Sequence, residues 1–222
     1  MAQFYPKIHT LYKRDEKTKK IIVGDYSRPE FEILKDVKWD ATYKTDGTNI
    51  SICFDGKTVQ FRGKTDRADI PKHLLKKLQE IFTLELLNNV FTEEQGTDGN
   101  INPRYIEIFG EGYGMKIQKG GNYIPDGVDF ILFDVRIGKW WLDYETCEKI
   151  AQSLGTKIVP SYGKLTIKQA EEMVIKGFKS PIAHNKDYEA EGLVLRAPLG
   201  LLDRSGNRII TKIKHVDYKH LS

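Results

Sequence analysis

Charged residues stand inside or at the ends of apolar, strand-like runs along this chain: Lys44, Arg62, Glu111, Glu191, Lys212 and Lys214. A charge flanked by apolar residues must face solvent, meet a partner or line a cavity, because burying it bare is costly. Ile209-Ile210-Thr211-Lys212-Ile213-Lys214 puts both lysines on one face, since strand side chains alternate with period two. Glu191-Gly192-Leu193-Val194-Leu195-Arg196 starts with a carboxylate beside a glycine. Taken one strand at a time, the solvent face of an amphipathic sheet accounts for each charge. Taken together, they offer a nucleophile, cations to neutralise phosphate, and carboxylates for ribose or metal. That is the equipment of phosphoryl or nucleotidyl transfer.

The nucleophile of that set lies in Tyr43-Lys44-Thr45-Asp46-Gly47-Thr48-Asn49, just before the apolar run Ile50-Ser51-Ile52-Cys53-Phe54. A free lysine has a pKa near ~10.4, so attack on phosphorus needs burial or nearby cations to lower that value. Gly47 lets the backbone come close to a ligand. An isolated K-x-D-G is equally a turn feeding a strand, and the downstream charges are what favour chemistry here.

The remaining pattern sets the fold class. Phe54-Asp55-Gly56-Lys57 reads as a hairpin turn, with Thr58 to Arg62 as the partner strand. Asp69 and Pro71 open one long helix carrying Leu74, Leu75, Leu78, Ile81, Phe82, Leu86 and Val90 at helical spacing. Strands are expected from Tyr105 to Phe109, Val128 to Val135, Glu191 to Arg196 and Arg208 to Lys214. Asp143 caps a second helix ending at Gly155, and Thr166 with Gln169 forms a capping box for a third. Strands and helices do not alternate regularly, which points to an α+β fold with antiparallel or mixed sheets flanked by helices. A chain of 222 residues that is 40% hydrophobic can bury a substantial core. A formal charge of +4 is compatible with an anionic partner and does not establish one. Cys53 and Cys147 are far apart, with neither disulfide nor metal spacing, which fits a reducing cytoplasm. No signal peptide or membrane-spanning run stands out, so no membrane partner is expected.

The order of these motifs resembles that of the covalent nucleotidyltransferases: ATP-dependent DNA ligases, RNA ligases and mRNA capping enzymes. Lys44-Thr45-Asp46-Gly47 is similar to their first motif, which makes Lys44 the lysine that takes AMP. Arg62 resembles the arginine of the following strand that contacts the nucleotide or the end being joined. Phe109-Gly110-Glu111 resembles the motif whose glutamate holds the ribose. Asp129-Phe130-Ile131-Leu132-Phe133-Asp134 resembles the one whose aromatic, here Phe130, stacks on the base. Glu191-Gly192 is similar to the motif whose glutamate serves the metal, through water, and the phosphate. Lys212-Ile213-Lys214 is similar to the last, whose lysines bind the α-phosphate. Within that superfamily the chain looks most like phage-type RNA ligases, because of Gly47-Thr48-Asn49 and of Gly112-Tyr113-Gly114 followed by Lys116-Ile117-Gln118-Lys119-Gly120-Gly121. Tyr43 departs from the glutamate that RNA ligases often carry before the nucleophile.

The resemblance implies an ATP-grasp-like nucleotidyltransferase fold, ATP as cofactor, and Mg²⁺, or Mn²⁺ in its place. It implies RNA or nicked duplex nucleic acid as partner, gripped by Asn49, Lys64, Arg67, Lys116 and Lys119. Eight residues follow Lys214. The expectation is therefore a single adenylyltransferase domain over 1–222, a monomer without a C-terminal oligonucleotide-binding barrel, working in the cytoplasm of a bacterial or phage-infected cell. The expected activity is the joining of 5′-phosphate and 3′-hydroxyl RNA ends through lysyl-AMP. The alternatives are a small DNA nick ligase and a non-catalytic nucleic-acid-binding module on the same fold.

Overall fold

Period-two alternation decides which side chains each strand buries, and the sheets follow from it. The computed structural model of the chain describes residues 5–65, 68–91, 105–118 and 120–219. They form two compact units: Asp46–Ile158 together with Tyr5, and Pro6–Thr45 together with the chain from Val159 onward. Strands and helices mix in both, and the sheets combine antiparallel with parallel pairs, as the α+β reading expects.

The first unit is built on a six-stranded sheet. Its main path runs Lys157–Ile158, Val128–Ile137, Ile106–Gly114, Thr48–Phe54, Val59–Arg62, and Trp140–Trp141 pairs with Val128–Ile137 at the side. The Asp55-Gly56 turn forms as its residues dictate. Gly56 takes φ +85°, and Asp55 Oδ1 accepts from the backbone nitrogens of Lys57 (2.9 Å) and Thr58 (2.7 Å). Ile50, Ile52 and Phe54 point to one side and join Ile106, Ile108, Leu132 and Val135 in the unit's apolar core. Leu74 and Leu78 of the helix Lys72–Ile81, and Cys147 and Ala151 of the helix Tyr144–Ser153, close that core. Asp143 caps the latter helix as expected, accepting from Thr146 N at 2.7 Å.

The long helix expected after Asp69 is instead two. Pro71 precedes the first, Lys72–Ile81, and Thr83 starts the second, Leu84–Val90, its hydroxyl accepting from Leu86 N at 3.2 Å. A threonine inside an apolar-periodic run offers the backbone a competing cap, and the helix restarts there.

The sheet's other face mixes charges with aromatic rings. Glu107 and Arg136, paired in register, form a buried ion pair, with the Arg136 guanidinium 5.8 Å from the Phe109 ring centre and 5.1 Å from that of Trp141. Both cysteines are buried, and no disulfide joins them.

The second unit carries a five-stranded sheet in the order His9–Thr10, Ile210–Lys214, Gly192–Arg196, Trp39–Tyr43, Ser161–Leu165. Trp39, Ala41, Leu193, Leu195 and Ile213 face Ile167, Ala170 and Val174 of the helix Ile167–Lys176. The predicted capping box is present at that helix: Thr166 Oγ1 accepts from Gln169 N at 3.2 Å and Gln169 Oε1 from Thr166 N at 3.0 Å. No helix among the described residues is long and apolar enough to cross a membrane.

Replacing Glu107 by Leu takes the paired carboxylate from a buried guanidinium. Urea titration is expected to show the free energy of unfolding falling by about 3–5 kcal/mol, the range for breaking a buried ion pair from one side.

Candidate active site

Three neighbouring strands of the second unit bring its charges into one row. Leu193 stands opposite both Tyr43 and Ile213, and all three side chains are buried. The adjoining residues therefore point to the other face. There Gly192 lies opposite Lys214, and its carbonyl accepts from the Lys44 backbone nitrogen at 3.0 Å. Glu191, just before Gly192, reaches across the row: Lys44 Nζ donates to its Oε2 at 2.7 Å and Lys214 Nζ to its Oε1 at 2.6 Å. The three side chains are 20%, 14% and 29% exposed for Lys44, Glu191 and Lys214. Hence the sequence's picture of cations beside Lys44 needs one amendment: Lys214 reaches it through a carboxylate. Lys212 lies one step along the same face, opposite Val194.

Gly192 makes this row feasible. Its φ is +148°, and a Cβ would sit 2.0 Å from the Ile213 carbonyl oxygen. A side chain there would push apart the strands that carry Glu191 and Lys214. Tyr43, which stands where a glutamate was expected, is buried and donates through its hydroxyl to Ser180 Oγ at 2.7 Å. Thr45 is buried too, and among the described residues its hydroxyl meets no hydrogen-bond partner.

The first unit holds the rest of the predicted set. Asn49 pairs in register with Glu111, and Arg62 stands one row over, across Ser51. Alternation puts Asn49, Arg62 and Glu111 on the sheet face opposite the apolar core. Gly47 lies against this sheet: a Cβ on it would be 2.3 Å from Gly112 O and 2.8 Å from Glu111 Cγ. The Asp46 backbone nitrogen donates to the Tyr123 hydroxyl at 3.1 Å. Tyr123 is buried edge-on against Tyr113, ring centres 5.6 Å apart. Burial first, and then the Asp129 carboxylate, push the Tyr113 phenol up to about 12, so it stays neutral at pH 7. Lys64 and Lys116 are exposed. Arg67 and Lys119 lie outside the described residues.

Phe130 corrects the sequence reading. It is fully buried in the first unit's core, its ring 5.1 Å from that of Phe82, and it faces away from Glu111. Gly112 is its register partner while Glu111 pairs with Ile131, so the two side chains leave opposite faces of the sheet. An aromatic chosen by motif order alone ignores that alternation. Two site residues escaped the sequence reading, Gly112 as the seat of Gly47 and Tyr123 as the acceptor for Asp46. A signal for the second was present, in an aromatic following the pair Gly120-Gly121.

Among the described residues no three His, Cys, Asp or Glu side chains gather as a metal cluster. Glu191 is the carboxylate of the lysine row, and both its oxygens hold ammonium groups. That donor set suits a Mg²⁺-like ion kept mainly by water and phosphate oxygens, which takes one or two carboxylates from a protein.

A family model for RNA ligases matches residues 37–214. Among solved structures, one of a mutant Naegleria gruberi RNA ligase with ATP and Mn is similar at 20% identity and a TM-score of 0.62, covering 97% of this chain and 64% of that one. Another mutant of the same ligase, with AMP and Mn, is similar at 19% identity and a TM-score of 0.62, covering 100% and 65%. A third, of Naegleria gruberi RNA ligase with PPi, is similar at 20% identity and a TM-score of 0.59, covering 99% of this chain and 64% of that one. These likenesses show a shared fold, and the chain spans about 64–65% of the length of those relatives. A search of curated proteins returned no match.

Replacing Gly47 by Ala drives a methyl group into Gly112 O and Glu111. Denaturant unfolding is expected to show a loss of about 1–3 kcal/mol, the usual cost of overpacking.

Proposed function

The chain belongs to the RNA ligase family, whose model covers residues 37–214, and from that premise we propose that it joins RNA ends through AMP carried on Lys44. The observation that carries this reading is the Lys44–Glu191–Lys214 row, with one carboxylate oxygen for each amine. The Lys44 nitrogen gives up a proton to solvent water and offers its lone pair to the α-phosphorus of ATP. A nitrogen–phosphorus bond forms, the bond to the β-phosphate oxygen breaks, and pyrophosphate leaves. An oxygen of an RNA 5′-phosphate then attacks that phosphorus, the nitrogen–phosphorus bond breaks, and the Lys44 amine takes back a proton from water. A 3′-hydroxyl attacks that activated phosphate, closing the phosphodiester and releasing AMP.

Each residue has a task in this scheme. Lys212 and Lys214 neutralise the α-phosphate, where charge builds as phosphorus is attacked. Glu191 stands between the two amines. In the charged complex it would hold Mg²⁺ or Mn²⁺, through water. A hard divalent ion supplies charge neutralisation at the phosphate oxygens. Arg62, Glu111, Thr45 and Asp46 take nucleotide contacts on the strength of the resemblance. Asn49, Lys64 and Lys116 take the RNA, and Arg67 and Lys119 join them on the resemblance alone. The Naegleria gruberi ligase structures with ATP, AMP and Mn support the choice of nucleotide and ion.

Incubation with α-labelled ATP and Mg²⁺ tests the first step. Wild type is expected to take up acid-removable label and Lys44→Ala none, while equal labelling of both would exclude Lys44. Glu191→Gln keeps the shape and drops the charge, and its labelling rate is expected to fall by roughly tenfold or more. Matched RNA and DNA ends, each with 5′-phosphate and 3′-hydroxyl, decide the polymer: joining of the DNA pair alone would overturn an RNA ligase.

A further inference from the structure

Residues 44–47 link the strand Trp39–Tyr43 to the strand Thr48–Phe54 and lie outside both. A nucleophile on such a link is only as well aimed as its neighbouring peptides are fixed. Within the second unit, the Lys44 backbone nitrogen is held by Gly192 O at 3.0 Å. Within the first unit, the next peptide nitrogen but one, that of Asp46, is held by the Tyr123 hydroxyl at 3.1 Å.

The polypeptide around Tyr123 is shaped at some expense to deliver that hydroxyl. Lys116 and Gln118, neither of them glycine, adopt left-handed φ values of +62° and +49° in the turn after the strand Ile106–Gly114. Each such residue is held against its own backbone preference. The turn closes in a short 3₁₀ helix, Gly120–Asn122, with Tyr123 N donating to Gly120 O at 3.0 Å. Tyr123 is 1% exposed, and its ring meets Tyr113 edge-on with planes at 81°. Tyr113 is itself tied down: Lys157 Nζ donates to its hydroxyl at 3.3 Å and to Asp129 Oδ2 at 3.0 Å. Apolar packing alone would be served by phenylalanine. The phenol oxygen is what reaches the Asp46 amide.

We propose that Tyr123 is a positioning residue for the nucleophile, its buried hydroxyl fixing the Asp46 peptide and through it the aim of Lys44. This rests on Lys44 being the AMP acceptor. Tyr123 touches no reacting atom in this scheme, so removing its hydroxyl acts through the Asp46 peptide and weighs on the chemical step more than on nucleotide affinity. Misplacement of a reacting group by about 1 Å lowers rates on the order of a hundredfold.

The test is single-turnover self-adenylylation of the full chain with α-labelled ATP and Mg²⁺, wild type against Tyr123→Phe. The maximal rate is expected to fall roughly ten- to a hundredfold, by a larger factor than the half-saturating ATP concentration rises. Hydrogen exchange at the Asp46 amide is expected to quicken in the variant, while Ile50 and Ile52 keep their protection. An unchanged maximal rate, or a loss confined to half-saturation, overturns the positioning role and leaves Lys44 as acceptor. A wild type that takes no label overturns the Lys44 reading itself, and this inference with it. Should Y123F fail to fold, wild-type exchange decides: an Asp46 amide that exchanges as freely as an exposed loop amide overturns the proposal.

Discussion

A carboxylate has two oxygens, and in this protein each of Glu191's holds a different lysine. Two ammonium groups drawn to one short row of a sheet would otherwise repel each other. Glu191 turns that repulsion into a pair of charge-assisted hydrogen bonds. The arrangement depends on backbone register more than on side-chain reach. The Lys44 amide bonds the Gly192 carbonyl, Gly192 lies opposite Lys214, and a bare glycine at 192 lets the strands close. The buried neighbours Tyr43, Leu193 and Ile213 supply the cohesion, and the charges occupy the face left over. On the proposed reading such a row would suit phosphate, because an arriving anion would find both cations already gathered and only one carboxylate to displace.

Features whose cause is local were legible in the sequence. Asp143 caps its helix and Thr166 with Gln169 makes a capping box, because each involves residues three apart and little else. Asp55-Gly56 turns the chain for the same reason. The charges on strands were legible as a set that had to be excused from the core. What their neighbours would be was not. Glu191 is 147 positions from Lys44, and no local pattern states that it stands between that lysine and Lys214.

The misreadings share a cause as well. One helix was read through Thr83 because its apolar spacing continues, and spacing carries no information on whether a threonine will cap or ride along. Phe130 was assigned by motif order to a role its side of the strand denies it. Register fixes which face a residue shares, and register is a property of two strands, so one strand's sequence leaves it open. Tyr123 was passed over for a similar reason: its acceptor role toward Asp46 exists only after a turn with two left-handed residues has folded it back.

The connectivity of the units bears on how the protein comes into being. Apart from Tyr5, the first unit is one uninterrupted stretch, 46–158, whereas the second is assembled from segments on either side of it. On a ribosome, the stretch 46–158 can collapse as soon as it emerges. The strand bearing Lys44 must wait for Gly192–Arg196 and Ile210–Lys214 to be synthesised before its sheet can close. Pairings across such separations are slow to form, since the intervening loop must be closed first. A nascent or truncated chain therefore displays the lysine without its carboxylate, and the charged row is among the last parts of the molecule to exist.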